Sequence, residues 1–262
     1  MKILILGGNG MLGPWVIKAL NGRHEITVTD INDPPENFNH KFIKLSADDL
    51  DGVVEASDGM DCIVNLSVLR EDRKLAFDVS TRGNYNMMVA AKTHGIRRVI
   101  NTGPHFQMVG PQYEYWDHNL NPDMPPAPGT RLYPITKALG QEICRVFAER
   151  HDIYVLTLLY CNMRHTWNFG PGQDDPVYHD DMTPYTTLWP DCGTAVQKAI
   201  EVPEIKLASR SETFFVLPDI PHAKFDGKKI KTILGWEPRY HGEVLWNKPP
   251  RKPVSQSHGA FD

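Results

Sequence analysis

No two cysteines of the sequence are spaced as Cys-x-x-Cys. Cys62, Cys144, Cys161 and Cys192 stand far apart in a chain of 262 residues, which excludes a clustered zinc site or a disulfide framework and leaves reduced thiols as the expectation. Long apolar runs are missing as well. Met1-Lys2-Ile3-Leu4-Ile5-Leu6 is far too short for a membrane span or a signal peptide, so a cytoplasmic protein with no membrane partner is expected. Neither sign of charge is in excess: 28 Lys and Arg stand against 32 Asp and Glu, a net charge of −4. The bases are scattered, which argues against a nucleic-acid partner. Internal repeats are absent too. His179-Asp180-Asp181 resembles a metal cluster, but three adjacent side chains do not converge on one ion, and no metal site is expected.

What is present is an ordinary globular composition, 41% hydrophobic and 23% charged, in a chain long enough for a substantial core. Strand-like runs at 3–6, 25–29, 41–45, 62–66 and 97–101 alternate with helical patterns at 12–21, 50–56 and 75–93. The continuous apolar runs indicate strands buried on both faces, hence an α/β fold with a Rossmann-like, doubly wound parallel sheet. Residues 103–132 read as a long ordered loop, followed by a helix at 133–151 and a strand at 153–159. Beyond these, a helix near 183–201, a strand at 213–217 and a short helix near 227–234 remain. The expected organisation is a nucleotide-binding domain at 1–160, a small substrate-binding lobe interleaved with it at 161–246, and an extended tail at 247–262.

The first strand runs into Gly7-Gly8-Asn9-Gly10-Met11-Leu12-Gly13, which reads as Gly8-x-Gly10-x-x-Gly13 or Gly7-x-x-Gly10-x-x-Gly13. Such glycines permit a tight turn, close approach to a pyrophosphate and close helix–strand packing. Met11 and Leu12 then supply free N–H groups at the positive end of a helix. Asp30 closes the second strand 17 residues after Gly13, placed to accept both hydroxyls of an adenosine ribose and to repel a 2′-phosphate. NAD is therefore the expected cofactor. Asp48 fits either a contact to the adenine amino group or a helix cap before Leu50.

Tyr133-Pro134-Ile135-Thr136-Lys137 puts a phenol and an ammonium at i and i+4 on one helix face. The ammonium favours the phenolate, drawing a pKa of about 10 toward working pH and giving a general acid/base for hydroxyl-to-ketone chemistry.

Together these residues resemble the extended branch of the short-chain dehydrogenase/reductase superfamily, the NAD-dependent epimerase/dehydratase family. The likeness is carried by Gly7-x-x-Gly10-x-x-Gly13, Asp30, Asp61-Cys62-Ile63-Val64-Asn65-Leu66-Ser67, Gly83-Asn84-Tyr85-Asn86, Tyr133-x-x-x-Lys137 and Leu234-Gly235-Trp236-Glu237-Pro238. It implies that Leu66 and Ser67 line the cofactor and that Lys137 also holds the nicotinamide ribose. It further implies that helices 75–93 and 133–151 pair in a homodimer. Within the family the chain looks most like the uronate dehydrogenases, compact members that oxidise hexuronic acids. The expected activity is oxidation of a hydroxyl on a sugar or sugar acid; the alternatives are a nucleotide-sugar epimerase/dehydratase and a catalytically weak NAD-sensing protein.

Three departures stand out. Where the family has Ser or Thr after the fifth strand, this chain has Asn101-Thr102-Gly103-Pro104-His105, leaving Thr102 or His105 to donate to the substrate oxygen. Ser80 stands for the family's Asn in the middle helix. Leu159-Tyr160-Cys161-Asn162 lacks the usual Arg, although Asn162 matches the family's substrate-side Asn. Arg70, Arg164 and His165 are candidates to meet a substrate carboxylate, and Trp167, Phe169 and Trp189 to wall off the nicotinamide. Replacing Asp30→Ala is expected to weaken NAD binding and relax discrimination against NADP in a binding titration. Tighter NADP than NAD binding by the parent chain would refute this reading of Asp30.

Overall fold

Ile3 to Leu6 and Cys62 to Asn65 are buried along their whole length, and the two strands pair in parallel at the middle of one sheet. The structure, a computed structural model, describes residues 1–69, 71–108, 120–164, 185–220 and 223–239. Its first half comprises β1 (Lys2–Leu6), α1 (Gly13–Leu20), β2 (Glu25–Asp30), β3 (Lys41–Lys44), α2 (Leu50–Ala56), β4 (Cys62–Asn65), α3 (Arg73–Phe77) and α4 (Gly83–His94). Then follow β5 (Arg98–Pro104), α5 (Leu132–Arg150), β6 (Tyr154–Tyr160), β7 (Met163–Arg164), β8 (Thr187–Leu188), α6 (Trp189–Glu201), β9 (Ser211–Val216) and α7 (Lys228–Leu234).

Seven strands form a parallel sheet in the order β3-β2-β1-β4-β5-β6-β9, and β7 pairs β8 separately. The chain direction across the sheet reverses between β1 and β4, and ligands bind at such a switch point, outside the carboxyl ends of the strands. One face is covered by α1 and α6, whose Val16, Leu20, Cys192 and Val196 pack on Ile3, Ile5 and Leu156. These two helices pack so closely that a Cβ on Gly193 would lie 2.4 Å from the Trp15 carbonyl oxygen. The other face is covered by α2, α4 and α5 through Val53, Met87, Ala91, Cys144 and Ala148. A third cluster of Met108, Leu120, Phe215, Leu217 and Phe225 lies at the carboxyl ends of the last strands. No described helix is long and apolar enough to cross a membrane.

Several boundaries differ from the sequence expectation for local physical reasons. The helix expected at 75–93 is broken by a π-helical turn at Asp78–Arg82. There the Ser80 carbonyl meets α5 at Gly140, where a Cβ would lie 2.1 Å from it, and accepts a 2.6 Å bond from Asn84 Nδ2. Strand β5 runs past Asn101 because Gly103 and Pro104 keep register with Leu159 and Tyr160. The start of the expected loop is thus strand, followed by a 3-10 turn at His105–Gln107. Its far end is ordered by a bridge between Leu120 and Phe225. Helix α6 begins only at Trp189, with Pro190 in its first turn. The expected tail at 247–262 lies outside the described residues.

Candidate active site

The glycine turn is built by exclusion of side chains. Gly7 has φ +72°, and a Cβ there would lie 2.7 Å from Ser67 Cα. A Cβ on Gly13 would lie 1.8 Å from the Gly8 carbonyl oxygen. At Gly10 it would meet only the Gly7 carbonyl, at 3.4 Å, so the turn stays open on that side. Leu12 stands at the N-cap of α1 without a side-chain capping bond. An open, glycine-lined turn leading into the N-terminus of a helix fits the pyrophosphate of a dinucleotide.

Asp30 is buried at the end of β2. Its Oδ2 accepts the Asn9 N–H and its Oδ1 the Asn32 N–H, both at 3.0 Å. Each oxygen keeps a further lone pair for a ribose hydroxyl. Asp48 accepts from the Ser46 hydroxyl, and the residue capping α2 is Asp49, which takes the Gly52 N–H at 3.1 Å. The helix-cap reading of Asp48 is therefore corrected by one position.

At the switch point β4 ends in Asn65, and the chain passes through Leu66 and Ser67 beside the glycine turn. The Lys137 Nζ donates to the Ser67 carbonyl at 2.9 Å from a side chain only 2% exposed. Tyr133 lies one turn earlier on α5, half-buried, with its ring edge-to-face with Phe106 at 5.8 Å. Gly7, Gly10, Met11, Leu12 and Leu66 line a cavity of about 900 Å³ together with Tyr133 and Lys137. Thr102, His105, Asn162 and Arg164 line the same cavity. Asn162 takes a positive φ of 40° and donates from Nδ2 to Thr186 Oγ1 at 2.7 Å. Arg164 Nη1 donates to the Met163 carbonyl at 3.2 Å. Trp189 is a buried wall of the cavity. Arg70, His165, Trp167, Phe169 and the 179–181 run lie outside the described residues.

Neither candidate for the missing hydroxyl donor fits that role. The Thr102 hydroxyl donates its one proton to the Asn65 carbonyl at 2.7 Å. His105 Nδ1 lies 3.1 Å from the Tyr160 carbonyl, which can only accept, so Nδ1 carries the proton and Nε2 a lone pair. Burial lowers its pKa to about 4, a shift the Tyr160 contact opposes, so the ring is neutral near pH 7. Its faces and edges meet Phe106 and Phe225, with ring centroids 5.4 and 5.3 Å away. A Cβ at 103 would lie 2.1 Å from Oε1 of the fully buried Gln107, so a side chain there requires the Gln107 amide to move.

Sequence reasoning missed Tyr185, Lys224 and Phe225, which also line the cavity. They come from the irregular C-terminal third and are held at the cavity by the Leu120–Phe225 bridge, by the Lys224 N–H donating to the Tyr185 hydroxyl at 3.0 Å, and by the packing of Phe225 on Tyr185 and His105. The four cysteines are free and buried; burial pushes the thiols of Cys62, Cys144 and Cys161 up to about 12, leaving them inert as nucleophiles.

A model of the NAD dependent epimerase/dehydratase family matches residues 3–186. The L-arabinose 1-dehydrogenase (NAD(P)(+)) of Haloferax volcanii is 25% identical over 169 residues, 60% of this chain and only 65% of that enzyme's length. Among solved structures, a short-chain dehydrogenase/reductase superfamily protein from Agrobacterium tumefaciens with bound NAD superposes with a TM-score of 0.77 at 16% identity. That match covers 94% of this chain and 95% of the other. Uronate dehydrogenase from Agrobacterium tumefaciens gives 0.72 at 20% identity, covering 97% and 91%. At such identities the structural likeness establishes the fold.

The neutral state of His105 has a thermodynamic consequence. Because the folded chain holds its pKa near 4, below the ordinary 6.5, the unfolded chain binds more protons between those values. Stability carried by the neutral ring is present above pH 6.5 and is lost as pH falls toward 4, by ~3 kcal/mol. Denaturant unfolding of the parent and of His105→Asn across this range is expected to show a steeper acid loss in the parent. Parallel curves would contradict the assignment.

Proposed function

The chain belongs to the NAD-dependent epimerase/dehydratase family, and from that membership we propose that it oxidises a hydroxyl of a free sugar or sugar acid. The observation that carries the reading is the union, in one cavity, of the glycine turn with Tyr133 and Lys137, the latter anchored on the Ser67 carbonyl. NAD, when bound, supplies the hydride acceptor. Tyr133 takes the proton of the substrate hydroxyl as the carbon is oxidised, and the neighbouring ammonium stabilises the phenolate. With the Thr102 proton committed to Asn65 and His105 without a donor facing the site, proton transfer rests on this pair.

The acid end of the substrate is assigned to the far wall, where Arg164 and Lys224 line the cavity. The names of two relatives, an L-arabinose 1-dehydrogenase and a uronate dehydrogenase, support a free sugar or sugar acid. Asp48 is assigned to the adenine side and Asn162 to the substrate. The expected homodimer would use α3, α4 and α5, where Leu75, Phe77, Tyr85, Leu139 and Val146 are each 41–48% exposed. Light scattering is expected to give twice the chain mass, reduced to one chain by Leu139→Glu; a monomeric parent would end the dimer reading.

The activity is tested by incubating the protein and NAD with hexuronic acids, aldoses and UDP-sugars. Net NADH from a free sugar is expected, and Tyr133→Phe should lower turnover roughly 10²–10⁴-fold while leaving NAD affinity nearly unchanged. Isomerised product without net NADH would instead identify an epimerase. NAD binding with no turnover of any of them would identify a sensing protein.

A further inference from the structure

Asn65 is fully buried at the end of β4, and each polar atom of its side chain and its carbonyl is engaged. Its Oδ1 accepts the Ser67 N–H at 3.0 Å, closing a short turn two residues on. Its Nδ2 donates to Asn84 Oδ1 at 3.2 Å, and its carbonyl takes the Thr102 hydroxyl at 2.7 Å. Asn84, also fully buried, donates from Nδ2 to the Ser80 carbonyl at 2.6 Å.

The direction of this chain of bonds is forced by its ends. The Ser80 carbonyl can only accept, so the nitrogen of Asn84 must face it and its oxygen must face Asn65. The Ser67 N–H can only donate, so the oxygen of Asn65 must face it. Both amides are therefore locked in one orientation, running from Ser67 back to the π turn. The peptide so held is the one packed against Gly7, and the carbonyl of the same residue takes the Lys137 ammonium.

The geometry points to Asn65 as a positioning residue: its amide, oriented by Asn84, fixes Ser67 and through it the placement of Lys137 beside Tyr133. This rests on the reading of Tyr133 and Lys137 as the acid/base pair. Asn65 touches neither of the reacting groups, and acts through the backbone of Ser67.

Two replacements separate positioning from bulk. Asn65→Leu keeps the volume but offers Ser67 no acceptor; Asn65→Ser keeps a hydroxyl that can accept the same N–H but cannot reach Asn84. The readouts are the ultraviolet titration of the Tyr133 phenol, taken as the difference from Tyr133→Phe, and the dissociation constant for NAD. Asn65→Leu is expected to raise the Tyr133 midpoint by about one pH unit, a tenfold change in proton affinity, and to weaken NAD about tenfold. Asn65→Ser is expected to stay close to the parent in both, although both variants melt earlier. Lower melting temperatures with both readouts unmoved would overturn the proposal. If Asn65→Leu does not fold, Asn84→Ala is read the same way: an upward phenol shift supports the proposal and an unmoved phenol overturns it. If the parent phenol titrates at its ordinary value of about 10, the acid/base reading fails. Asn65 is then judged on NAD affinity alone, where loss in the Leu variant with recovery in the Ser variant supports it and equal affinities overturn it.

Discussion

The backbone of Ser67 stands where three requirements of the site meet. On one side it occupies the space a Gly7 side chain would fill, at 2.7 Å from the missing Cβ. On another its carbonyl holds the Lys137 ammonium at 2.9 Å. From beneath, its N–H is tied to Asn65, and Asn65 in turn fixes Thr102. The cofactor turn after β1, the crossover after β4 and helix α5 thus share one residue. Burial makes the arrangement sharp, because a buried polar group left unpaired costs ~1–3 kcal/mol and alternative placements are correspondingly disfavoured.

The packing beneath Gly103 lies at the main departure from the family pattern. A serine at Gly103 would require the Gln107 amide, which donates to Gln141 on α5, to move. Gln141 continues the contact to Thr213 of β9 at 2.9 Å. This polar ladder fixes the 3-10 turn that carries His105 and Phe106, and Phe106 packs on the Tyr133 ring.

What could be read from the sequence was what local chemistry dictates. The alternation of buried strands with helices, the glycines at the end of β1 and the closing Asp30 each reflect constraints spanning a few residues. Tyr133 and Lys137 were legible because helical spacing alone puts them on one face. The π turn was not, since it depends on Gly140 of α5 meeting Ser80, a contact 60 residues away in sequence. Nor was the state of His105, which is set by burial against Phe225 and by the Tyr160 carbonyl. Lys224 and Phe225 are held at the cavity by a bridge to Leu120 and by contacts with Tyr185 and His105, for which no spacing rule exists. Asn65 appeared in the sequence as one residue of a strand-end motif, and its connections became visible only in three dimensions.

The central claim is that the glycine turn and Lys137 are built around a common residue, Ser67, so as to hold NAD. Calorimetric titration of NAD into the parent chain and into Gly7→Ala tests it most directly, because the added methyl enters the space of Ser67 and the φ of +72° disfavours any side chain. One NAD per parent chain, with affinity reduced at least about tenfold in the variant, is the predicted result. A parent that binds no NAD, or a variant that binds it equally well, would contradict the account.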